Sequence, residues 1–184
     1  MGYRRGFKAE ANEYSREFRE ELGLRAVDPL CPWNLAEHLA IPVIGLSDLK
    51  DDEPGKVHHL MHVDSRCFSA ATVFRGTRRM IVLNDSHSTE RQASDMSHEL
   101  AHGILGHPPT QPFNEFGCRN FQVDIEAEAN WLGPTLLISE EAALSIARLR
   151  MDKKAAASQY GCTISIVQMR LNVTGAFKRV AFRR

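Results

Sequence analysis

Apolar residues recur at helical spacing from the start of the chain. Phe7, Ala11, Tyr14, Phe18 and Leu22 share one face and Gly23 follows them, which predicts an amphipathic helix over residues 7–22. A shorter helix is expected over residues 32–39, entered through Pro32 and closed before Pro42. The period then changes. Residues 43–46, 58–63, 69–74 and 79–83 are short apolar or alternating runs that read as strands, and Arg75-Gly76-Thr77-Arg78 joins the last two as a hairpin. Helical spacing returns between residue 89 and Gly106, where Leu100, Ala101, Ile104 and Leu105 form an apolar stripe that Pro108-Pro109 cuts off. A second such helix covers residues 124–132. Further on, Ala157, Gly161 and Val167 are spaced as in a helix-turn-helix unit, with Thr163 and Ser165 as candidate caps. The pattern is that of an α+β fold: a small antiparallel or mixed sheet packed on helices, with a helical hairpin at the C-terminus.

The helix over residues 89–106 carries the chemistry. In His98-Glu99-Leu100-Ala101-His102 the two histidines lie four residues apart, so on a helix both imidazoles reach one tetrahedral ion from the same face. Glu99 sits beside that ion rather than on it, placed to take a proton from a water that the metal activates and to pass it to a leaving amine. The alternative is a pair of polar residues on a partly exposed helix. A carboxylate between two histidines on a half-buried face needs partners, however, and a metal such as zinc supplies them.

A catalytic zinc wants a third protein ligand and an open fourth position. Glu126 is the choice. On the second helix it shares a face with Asn130, which is placed to hydrogen-bond a ligand histidine, whereas Glu128 points about 160° away and cannot serve the same ion. His107 does not complete the three-histidine metzincin pattern, because the positions that pattern reserves for Gly and the last His hold Leu105 and Pro108. It reads instead as a residue favoured by the dipole at a helix C-terminus, with substrate contact as the other option. His58, His59 and His62 read as a solvated strand cluster or as metal or substrate contacts.

Composition narrows the class. A chain of 184 residues with 43% apolar content suits one domain able to bury a core without disulfides. The scattered Cys31, Cys67, Cys118 and Cys162 contain no Cys-x-x-Cys pair and fit reduced thiols. No apolar stretch has the roughly 20 residues of a membrane span, so no membrane partner is expected and a cytoplasmic location is. The formally neutral chain hides an asymmetry. From Arg148 onward nine basic residues (Arg148, Arg150, Lys153, Lys154, Arg170, Lys178, Arg179, Arg183 and Arg184) face one acid, Asp152, leaving +8 there and −8 elsewhere. Such a tail docks on the body or on a protein partner, binds nucleic acid directly, or is merely solvated. The division expected is residues 1–147 as the metal-binding domain and residues 148–184 as a basic unit packed on it.

The run Ile81-Val82-Leu83-Asn84, then Arg91-Gln92, then the HELAH helix, then Glu126-Ala127-Glu128-Ala129-Asn130 resembles the ImmA/IrrE metallopeptidases, as do the opening Arg5-Gly6-Phe7-Lys8, Asp28-Pro29 and Ile41-Pro42-Val43. This resemblance implies a zinc-dependent endopeptidase that cuts a helix-turn-helix repressor or antitoxin, with His98, His102 and Glu126 on the metal and Glu99 as catalytic base. One departure stands out: Pro134 cannot donate to the carbonyl of Asn130, so the second helix is expected to kink or end one turn further on. Two other readings stay open, a non-proteolytic regulator that binds such a partner and a DNA-binding protein led by its tail. Three visible ligands rather than four favour catalysis over a structural zinc.

Overall fold

The computed structural model describes residues 3–76, 78–108 and 123–181. Thr77, Pro109, Cys118, Arg183 and Arg184, which entered the sequence argument, lie outside them. Helix α1 (Phe7–Glu21) ends at Gly23, whose φ of 69° is the left-handed conformation that the glycine allows. Helix α2 (Pro32–His38) leads to strand β1 (Val43–Gly45). Strands β2 (Ala70–Arg75) and β3 (Arg78–Leu83) form the hairpin, antiparallel, with Ala70 opposite Leu83 and Thr72 opposite Ile81. Since β1 pairs with β3 in parallel, the sheet is mixed, in the order β1-β3-β2, and β2 is an edge.

The expected strand over residues 58–63 does not form. Pro54 starts a short helix, α3 (Pro54–His58), which runs on as one π-helical turn over His59–Val63. Val57 is buried while His58, His59, His62 and Val63 are exposed, so the segment has no alternate buried face to lay on a core. The segment is tied down from the sheet instead. Asn84, just past β3 and fully buried, donates from Nδ2 to the carbonyls of Leu60 and Phe68.

Helix α4 (Thr89–Ile104) is capped by Ser88 and buries Ala93, Met96, Leu100 and Ala101. Helix α5 (Val123–Leu137) contains Pro134 and is not ended by it. The missing N–H costs one bond, but Trp131, Leu132, Leu136 and Leu137 are all buried, and that burial outweighs the loss over the last turn. The carbonyls that end α5 are satisfied from α1: Ser15 Oγ donates to Thr135 O, and the buried Arg19 guanidinium donates to Leu136 O and Leu137 O.

Helices α4 and α5 lie unusually close. A Cβ at Gly133 would come within 3.1 Å of His98 Cα, His98 N and Ser97 O, all backbone atoms that cannot step aside. Gly133→Ala would gain about 1 kcal/mol of helix propensity. Overpacking two core helices costs about 1–3 kcal/mol. The variant is therefore expected to melt a few degrees below the wild type in thermal unfolding, and a rise in melting temperature would show that the helices can part freely.

A further helix that the sequence reading did not anticipate, α6 (Glu140–Arg148), starts at Ser139, whose Oγ accepts from Ala142 N. The expected hairpin follows as α7 (Lys153–Tyr160) and α8 (Ile164–Val173), turned at Gly161 and capped by Thr163, with α9 (Ala176–Ala181) after it. These helices share a second apolar cluster with the end of α5, through Leu137, Ile138, Ile146, Tyr160, Val167 and Leu171. Arg170, counted above with the basic tail, is buried in this cluster and donates to Ile138 O. No helix among the described residues is long and apolar enough to cross a membrane.

Candidate metal centre

Helical periodicity puts His98 and His102 on the side of α4 that faces α5, and the small residues Ala129 and Gly133 let α5 close on them. Glu126, two turns before Gly133 on the same stripe, then reaches both rings. His98 Nε2 and His102 Nε2 are 3.1 Å apart. Glu126 Oε2 is 3.3 Å from His98 Nε2, and Oε1 is 3.5 Å from His102 Nε2. Ligand atoms about 2.0–2.1 Å from one tetrahedral zinc are about 3.3 Å from each other, so these three side chains already have the spacing that a shared ion requires. Among the described residues, they are the cluster of His, Cys, Asp or Glu able to hold a metal.

Electrostatics agree with the geometry. His102 first, and His98 after it, hold the Glu126 carboxyl far below the ordinary carboxylate range. Burial alone would lower His98, but the Glu126 hydrogen bond and the Glu99 charge outweigh it and raise the imidazole above its usual value. The pocket thus favours positive charge facing a carboxylate, a requirement that a divalent cation meets in place of protons.

Glu99 does not point at this trio through a shared hydrogen bond; it is held from the sheet. Thr72 Oγ1, on the edge strand β2, donates to Glu99 Oε2 at 2.6 Å. That bond ties Glu99 to the outer strand of the sheet. Nothing in the local pattern of β2 marked Thr72 for this task. It follows from the pairing of Thr72 with Ile81, which turns its side chain towards α4.

Other expectations are corrected. Asn130 is exposed, because Ala129 and Gly133 occupy the face turned to α4 and Asn130 falls on its solvent flank. His58, His59 and His62 are exposed on α3 and the π turn, not strand residues, although the His58 and His62 rings meet edge to face at 5.2 Å. His107 stands just past the C-terminus of α4, as expected, but it is turned inward: its side chain is 8% exposed and its Nδ1 lies 3.0 Å from His102 Nδ1. Burial, and then the nearby His102, lower its imidazole below the usual value. Glu128 faces away from the trio as expected and pairs instead with His107 and with Arg4 of the N-terminal segment. Sequence did hold one signal for His107, the glycine before it, since a left-handed residue past a helix end folds the next side chain back on the last turn.

A family model for the IrrE N-terminal-like domain, Peptidase_M78, matches residues 36–172, a span that takes in the sheet, α4 with its HELAH motif, and Glu126. No curated protein matches the chain. The matched span is well over half of the sequence and contains the three converging side chains together with Glu99, and on that footing the protein belongs to the IrrE N-terminal-like family and has a metallopeptidase-type function.

Proposed function

We propose that the protein is a zinc metallo-endopeptidase of the cytoplasm whose substrate is a helix-turn-helix repressor or antitoxin. The observation that carries the chemistry is the convergence of His98 Nε2, His102 Nε2 and Glu126 at 3.1–3.5 Å, beside a Glu99 pinned to an edge strand. Zinc bound by these three side chains would supply Lewis acidity towards a peptide carbonyl and towards water. The rest falls to the chain. Glu99 accepts the proton of the attacking water and returns it to the departing amine nitrogen, so that water is split across the peptide bond and no net proton is used. Thr72 keeps the carboxylate turned towards the metal side of β2. Among the described residues β2 is an outer strand of the sheet, and its backbone edge offers hydrogen bonds to an extended substrate, which would lie as a fourth strand past Glu99.

The substrate class rests on family membership, and the C-terminal helices supply a surface for it. Arg148, Arg150, Lys154 and Lys178 are exposed there, while Arg179 is engaged by Glu140 and Arg170 is buried. This basic surface would capture the partner protein, with direct DNA binding as the other use.

Metal binding is the first test. Titration of metal-free protein with zinc against a chelator should show one site, and Glu126→Ala should weaken it about a hundredfold by deleting a ligand. Unchanged affinity in Glu126→Ala would remove α5 from the site. Mixing the zinc-loaded protein with a helix-turn-helix regulator encoded beside it and looking for fragments tests the substrate.

A further inference from the structure

We infer that His107 is a positioning residue for the metal site: backed by Glu128, it holds the His102 ring in the one tautomer and orientation that presents Nε2 to the ion. The inference rests on the metal-site reading above and goes one layer outward from it.

The end of α4 is built to bring His107 there. Gly106 has a φ of 64°, and the turn around it is closed by two backbone bonds, Gly106 N–H to Gly103 O at 3.2 Å and His107 N–H to His102 O at 3.0 Å. This is the Schellman arrangement, in which the residue after the glycine packs on the residue five places earlier, here His102. The two rings meet at 71° with centroids 5.0 Å apart. Glycine matters at position 106 because a side chain there would strain the left-handed backbone and loosen the return of His107.

A bound cation would fix the protons. Nε2 of His102, which faces His98 and Glu126, would give its lone pair to that ion, so the ring would carry its hydrogen on Nδ1, and the atom 3.0 Å from Nδ1 is His107 Nδ1. His107 Nδ1 must accept, which puts the His107 hydrogen on Nε2. That nitrogen lies 3.6 Å from Glu128 Oε2, in a pocket where both side chains are nearly closed off, and Arg4 Nε donates to the other Glu128 oxygen at 3.0 Å. A chain therefore runs from Arg4 through Glu128 and His107 to His102. Its carboxylate end draws positive charge along the rings and makes His102 a stronger donor to a cation. The two acids of Glu126-Ala127-Glu128 divide the work: one faces the ion, and the other backs the ring behind it.

The test reads metal affinity, not turnover. Zinc affinity of the full chain is measured by chelator competition, and cobalt absorption reports ligand geometry, for the wild type, His107→Leu, His107→Asn, Glu128→Gln and His98→Ala. His107→Leu keeps bulk but cannot accept from His102 and should bind zinc about 10–100-fold more weakly with an altered cobalt spectrum. In His107→Asn the amide oxygen takes the place of Nδ1, so binding should stay within about threefold of wild type, a rescue that bulk alone would not produce. Glu128→Gln, which leaves His107 in place, should lose about tenfold and decides the matter if His107→Leu does not fold. Wild-type affinity in both His107→Leu and Glu128→Gln, with His98→Ala losing the metal, would overturn the positioning role and leave the metal site standing. Retention of zinc by His98→Ala would instead overturn the metal-site reading itself.

Discussion

Glu99→Gln is expected to reduce peptide hydrolysis by about a hundredfold to ten-thousandfold while leaving zinc content and melting temperature near those of the wild type. The carboxamide has nearly the shape of the carboxylate, and its oxygen can still accept from Thr72 Oγ1, so the tie to β2 survives. What disappears is the group able to take a proton. The variant should hold a helix-turn-helix partner intact in a complex that the wild type resolves into fragments, because the three ligands and the strand edge are untouched. Gel analysis of the mixture, alongside metal content, provides the measurement. Cleavage by Glu99→Gln at the wild-type rate would move the base elsewhere, and a partner bound but never cut by either form would favour the non-proteolytic regulator.

Arg19→Leu should destabilise the fold by about 3–5 kcal/mol, because it strips the donor from several buried carbonyls at once. The side chain is 1% exposed and its guanidinium donates to Asp28 O, to Ser15 O and Oγ, and to Leu136 O and Leu137 O. Burial pushes the guanidinium down to about 10, so it remains a cation at neutral pH, set against the negative end of α5. Leucine would fill part of the space and leave the terminal carbonyls of α5 without donors, at about 1–3 kcal/mol each. Thermal unfolding should show a fall of about 10 °C in a chain of this size. Arg19→Lys should be intermediate, since one ammonium cannot span donors and acceptors that a planar fork reaches together. A Leu variant within about 1 kcal/mol of wild type would mean that other groups or water cap α5.

The stretches that were legible in the sequence are those whose signal is local. The α4 stripe, its start at residue 89 and the hairpin at Gly76 each depend on residues within a turn or two of one another, and they stand where expected. The choice of Glu126 over Glu128 followed from helix angle alone, and only Glu126 joins the two histidines. Reading failed where a local rule competed with packing. Residues 58–63 read as a strand in isolation, but Pro54 starts a helix that carries through them, and no alternate apolar face holds them to the sheet. Of the two outcomes expected at Pro134, a kink or an end to α5, the end does not occur, because the turn around the proline is buried. Arg170 counted as tail charge although it lies in the core, because composition does not distinguish a basic side chain on the surface from one that caps buried carbonyls.

By itself, then, the sequence determined the candidate metal-binding pair His98 and His102, the carboxylate beside them, and the α+β succession of elements, since each is written in spacing along one short segment. Only tertiary structure decided that Ala129 and Gly133 admit α4 closely enough for Glu126 to reach both rings, that Thr72 holds Glu99, and that His107 turns back to meet His102 with Glu128 and Arg4 behind it. The physical reason is range: a helix repeats its faces every few residues and can be read from a window, whereas the meeting of residue 4 with residue 128, or of residue 72 with residue 99, depends on which small side chains let two elements approach, and no periodicity encodes that distance.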